Sequence, residues 1–95
     1  MAILDLGRLV ATASVAERMK KDYSFNHFIN TSIERFKRGD WGTISEGDIP
    51  QNNDGLKKGE GSIHGVYKMP DGKTVVWIFM EWDHKTTTIL FPEEW

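Results

Sequence analysis

Hydrophobic positions change their period along this chain. Phe25, Phe28, Ile29, Ile33 and Phe36 recur at three- and four-residue intervals, which places them on one face of a helix. Arg35, Lys37 and Arg38 crowd the last turn of that pattern, and Gly39 fits the position just past a helix end. The spacing predicts a helix over 25–38 with Ser24 as its N-cap. Further on the period drops to two. In 62–69, Ile63, Gly65, Tyr67 and Met69 share one face. In 74–82 both faces are apolar, with Val75, Trp77 and Phe79 on one and Val76, Ile78, Met80 and Trp82 on the other. A strand of that kind is central, or has its second face covered by a helix or a partner. The β-branched run 86–91 follows, and Pro92 ends it because proline cannot donate to a ladder.

Turn chemistry joins these runs into an antiparallel meander. Pro70-Asp71-Gly72 lies between the first two, where proline presets φ and glycine accepts φ > 0. Asp83-His84-Lys85 lies between the second and third.

Upstream, Arg8 to Thr12 reads as a strand after Gly7. Ser14-Val15-Ala16-Glu17 matches a capping box, so a short helix is expected over 15–21. Residues 45–58 are ambiguous. Pro50 suits a first helical position and Lys57-Lys58-Gly59 a helix end, but Asn52, Asn53 and Gly55 are poor helix formers. That segment is a weak helix or a structured loop. The expected order is β-α-α-(α)-β-β-β, a single α+β domain over 1–95 whose meander packs in two layers against the N-terminal helices. Helices on one face only would leave apolar residues exposed on the other, which suggests self-association or a partner.

Composition narrows the functional classes. Ninety-five residues with 39% hydrophobic and 27% charged positions suit one globular domain. A net charge of −2 argues against nucleic acid as a partner, since phosphate neutralisation calls for a basic surface. The absence of cysteine rules out disulfides and thiolate chemistry and fits a reducing cytoplasm. Met1 to Leu6 carries an acidic residue where a leader needs a basic region, and no apolar run is long enough for a membrane span.

Candidate chemistry is sparse. Glu81, Asp83 and His84 are the tightest group of metal-type ligands, and the simpler reading makes them the solvated tip of a hairpin. His27, His64 and His84 are scattered over a helix, a strand and a turn, with no nucleophile motif beside any of them. Gly59-Glu60-Gly61 lacks the third glycine and following helix of a phosphate cradle. No catalytic residue, metal or cofactor is assigned, and the chain reads as a non-enzyme. Arg35 and Arg38 with Trp41 and Tyr67 can supply charge and stacking to a small ligand such as a nucleotide. Four tryptophans are many for this length. Trp77 is expected in the core, Trp82 in the core or at a contact, and Trp41, Trp82 and Trp95 form the expected partner-binding set.

Four segments carry a resemblance: Gly7-Arg8-Leu9-Val10-Ala11-Thr12, Gly39-Asp40-Trp41-Gly42, Tyr67-Lys68-Met69-Pro70-Asp71-Gly72 and Thr87 to Glu94. Together they resemble a pattern in a family of small bacterial proteins associated with plasmids and phages, without an assigned activity. The chain departs from that pattern at Ile49-Pro50-Gln51 and Asn53-Asp54-Gly55. The resemblance transfers no catalytic residues. It implies a mobile-element context, in which small proteins often modulate host or defence machinery. The missing catalytic set, the two-faced strand 74–82 and the excess of tryptophan make a non-enzymatic cytoplasmic protein acting by protein–protein contact the leading expectation. A nucleotide-type ligand is the competing expectation, and a homodimer is compatible with either.

Overall fold

A computed structural model describes residues 4–95; of the N-terminal reading over Met1 to Leu6, residues 1–3 lie outside the described residues. Strand β1 (Arg8–Ala11) runs straight into helix α1 (Ala13–Lys21). The cap between them is Thr12, two residues earlier than the capping box implies. Its extended backbone lets the hydroxyl accept the Val15 N–H, while Glu17 pairs with Lys21 along the exposed helix face instead. Helix α2 (Tyr23–Lys37) likewise starts early, because Asp22 rather than Ser24 accepts the Phe25 N–H. Gly39, at φ +83°, follows the C-terminus as expected.

Residues 45–58 resolve into a 3-10 turn (Glu46–Asp48) and a true helix, α3 (Ile49–Lys58), with Pro50 in its first turn and Gly59 in the left-handed conformation at its end. Its poor helix formers have tertiary jobs. Asn52 is buried and bonds the backbone of His64 in both directions, and Asn53 accepts the Trp41 indole N–H at 3.0 Å. Gly55 lies so close to Ile63 that an added Cβ would sit 3.2 Å from its side chain. Tertiary bonding thus offsets a weak intrinsic helix preference.

The meander follows as β2 (Ile63–Lys68), β3 (Val75–Met80) and β4 (Thr86–Leu90). Sheet order is β1-β4-β3-β2, with β1 parallel to β4 and the other pairs antiparallel. The domain is therefore α+β with a mixed four-stranded sheet. Period-two burial holds as expected: Ile63, Tyr67, Val76, Ile78, Met80 and Ile89 are buried on one face against Val15 of α1 and Phe25, Ile29 and Phe36 of α2. Full burial of such a side chain is worth about 1.5–3 kcal/mol. Trp41 belongs to this core, 5% exposed and edge-on to Phe36 at 5.3 Å.

The two sheet edges differ. On β2, Val66 donates to the Trp41 carbonyl and accepts the Thr43 N–H, so the Trp41–Thr43 segment pairs with the edge. Gly42 sits so close in that bridge that a Cβ would lie 1.9 Å from the Val66 oxygen. Asn52 covers the His64 groups next to it. On β1, Arg8 and Thr12 donate into β4. In a parallel ladder that turns the N–H and C=O of Leu9 and Ala11 outward.

Candidate functional site

Helices α1 and α2 cover one face of the sheet. Cross-strand register places His64, Val66, Val75, Trp77, Phe79, Thr88 and Leu90 on the other. Aromatic rings dominate its centre. His64 lies edge-on to Trp77 at 4.8 Å and near Phe79 at 6.3 Å. The chain then turns through a 3-10 segment (Pro92–Glu94) that brings Trp95 back over the same strand, 4.9 Å from Phe79 and 5.9 Å from Trp77. Trp95 is nevertheless 70% exposed. Leu90, opposite Trp77 in the ladder, is 5% exposed and stands outside the main core cluster. The face thus carries a small hydrophobic layer of its own with an open aromatic top.

His64 is the polar member of this layer. Its Nε2 is shielded from solvent and has no hydrogen-bond partner among the described residues. Burial holds its pKa below the ordinary histidine value, with Asp48 pulling weakly the other way. Beside it lies a recess of about 160 Å³ lined by Asp48, Gln51, Asn52, Ser62, His64 and Phe79. The open face and its recess offer flat aromatic surface and one neutral imidazole, a set that suits contact with another apolar surface.

Two things hold Trp95 over the sheet. The Glu94 carboxylate accepts the Phe91 N–H and the Thr12 hydroxyl, both at 2.8 Å. These donors, the Phe91 N–H foremost, keep its carboxyl below the usual carboxylate range. The end of the chain is thereby tied to the cap of α1.

The other expected site residues are distributed differently. Arg35, Asp40 and Tyr67 form a lock between the end of α2 and β2. Arg35 bonds Asp40 through Nε at 2.7 Å and Nη2 at 3.1 Å, and stacks on the Tyr67 ring at 5.1 Å. Tyr67 donates its hydroxyl to the Asp40 carbonyl at 2.7 Å. Tyr67 is fully buried and Trp41 nearly so, so neither ring has a face free to stack a base. The grouping of Arg35, Arg38, Trp41 and Tyr67 as a ligand site is corrected accordingly: Arg38 is exposed, and the other three serve the fold. Trp41 also leaves the partner-binding set, because its indole is consumed by the core and Asn53. Trp82 lies past the end of β3 and is 63% exposed, so it is not core. Trp77, expected in the core, instead lies on the open face, partly covered by Trp95.

Among the described residues, no three His, Cys, Asp or Glu side chains gather where they could hold a metal ion. His84 is used in the turn, with φ +60° and Nε2 2.8 Å from the Gly61 oxygen. Phe79 and His64 were missed as site residues. Their signal was present in the two-faced pattern of 74–82, read together with the strand parity of His64. No helix among the described residues is long and apolar enough to cross a membrane. Comparison of the chain with protein-family models, with curated proteins and with solved structures finds no match.

Proposed function

We propose that this chain is a non-enzymatic cytoplasmic binding protein that acts by protein–protein contact through the open face of its sheet. The observation that carries the reading is Trp95, packed on Trp77 and Phe79 yet 70% exposed. Tryptophan in that position gives large, rigid contact area at low entropic cost, and it is enriched where interfaces concentrate their energy. The resemblance to plasmid- and phage-associated proteins supports a mobile-element origin and a host or defence protein as the partner. The nucleotide reading has lost its stacking surfaces, since Trp41 and Tyr67 are buried.

The test is capture of partners from a bacterial lysate on the N-terminally tagged chain, followed by titration of the captured protein against variants. Trp95→Ala should weaken binding by about 2 kcal/mol or more, as for an interface anchor. Tyr23→Ala, at a still more exposed aromatic on the helical layer, should leave binding unchanged. Equal affinity for wild type and Trp95→Ala would sink the proposal.

A further inference from the structure

One edge of this sheet is closed and the other is not. On β2 the outward backbone groups of His64 are taken by Asn52, and those of Val66 by Trp41 and Thr43. On β1 the outward groups belong to Leu9 and Ala11, and no described residue pairs with them. Leu9 is 43% exposed and Ala11 is exposed beside it. Proteins ordinarily protect such an edge with charge, proline or a covering segment. Among the described residues, this chain protects β2 in that way and leaves β1 bare.

The geometry points to a second copy of this chain as the occupant, joined through antiparallel β1–β1 pairing about a two-fold axis at Val10. Leu9 then faces Ala11 of the other copy, and Ala11 faces its Leu9. Both residues present outward N–H and C=O groups, so each facing pair exchanges two hydrogen bonds, and Val10 meets Val10 in the intervening non-bonded position. Shifting the register by one residue would point inward-facing groups at the partner and lose these bonds.

Charge supports the same register. Arg8 comes opposite Thr12 of the other copy, on the same side of the sheet. The Thr12 hydroxyl is bonded to the Glu94 carboxylate. Arg8 is exposed and makes no ion pair among the described residues. Symmetry brings each Arg8 guanidinium towards the Glu94 of its neighbour, twice per dimer. The product is one continuous eight-stranded sheet with both aromatic faces on the same side. This assembly does not depend on what the aromatic faces bind.

The experiment uses the whole chain and its lack of native cysteine. A non-bonded antiparallel pair holds its Cα atoms about 4.5 Å apart, within the span of a disulfide. Val10→Cys should therefore cross-link to itself under mild oxidation, giving twice the 10.9 kDa chain mass. Thr88→Cys, one strand inward, should not. Light scattering over a concentration series should show wild type dimerising, and the paired substitutions Leu9→Lys and Ala11→Lys should raise the dissociation constant about tenfold or more with the circular dichroism unchanged. Wild type that stays monomeric into the millimolar range overturns the proposal. So does a dimer indifferent to the edge lysines, or one that Trp95→Ala dissolves in their place.

Discussion

The side-chain amide of Asn52 grips the backbone of His64 from a single position: Nδ2 donates to the His64 carbonyl at 2.7 Å and Oδ1 accepts the His64 N–H at 3.2 Å. One amide thus stands in for a neighbouring strand, and Asn52 is 2% exposed while doing so.

Removing it leaves two edge groups of β2 unsatisfied in a covered position. Asn52→Ala should lower the unfolding free energy by about 2–4 kcal/mol, against the gain in helix propensity that alanine brings. Chemical denaturation measures this directly. A loss below the usual surface range of about 0.5 kcal/mol would show that water replaces the amide without penalty.

Gly42 is the second point where the β2 edge depends on one residue. It holds φ +73°, and an added methyl would overlap the Val66 carbonyl. Gly42→Ala should cost about 3 kcal/mol, combining left-handed strain with a displaced bridge. Gly59→Ala, at φ +75° with open space around it, isolates the strain and should cost markedly less. Equal losses in the two variants would remove the close approach as a cause.

Acid should weaken the β2–β3 turn. The Thr74 and Lys73 N–H groups and the Thr74 hydroxyl, with Arg18 nearby, pull the Asp71 pKa down to about 2. A carboxylate whose folded pKa is depressed contributes stability that is present above its unfolded value of about 3.9. That contribution is lost as pH falls from there through 2. Unfolding midpoints of wild type and Asp71→Asn, followed from neutral pH downward, should converge in that window. Parallel curves would mean that the carboxylate charge is immaterial.

His64 acts in the same direction at milder pH. Burial against Trp77 and Phe79 favours its neutral form, so its folded pKa lies below the unfolded value of about 6.5. Stability is complete above that value and declines as pH drops below it, because the unfolded chain takes up the proton first. Imidazole resonances should titrate with a midpoint below 6.5, and His64→Phe should remove the corresponding slope. A midpoint at or above the free value would contradict the buried environment.

Much of this fold is legible in the sequence. The period-two runs and the Pro70-Asp71-Gly72 turn identify the meander, and the 25–38 stripe identifies the longest helix, because burial acts on each residue in place. What escaped detection depends on distant partners. Asn52, Asn53 and Gly55 argue locally against a helix, and only His64, Trp41 and Ile63 explain them. Trp41 looks like a free aromatic until Asn53 and Phe36 enclose it. The site was half visible. The second apolar face of 74–82 was apparent, but composition alone cannot say that Trp95 folds back onto it or that Trp77 belongs to it.

The parallel pairing of β1 with β4 sets a timetable for synthesis. Ala11 and Thr86 are 75 positions apart, so at roughly 5–20 residues per second β1 is synthesised about 4–15 s before its partner strand. Neither side of β1 has a ladder in that interval, and the Thr12 cap lacks Glu94. β1 is therefore made well before the strand that gives it a ladder, and it takes its place in the sheet only once β4 exists.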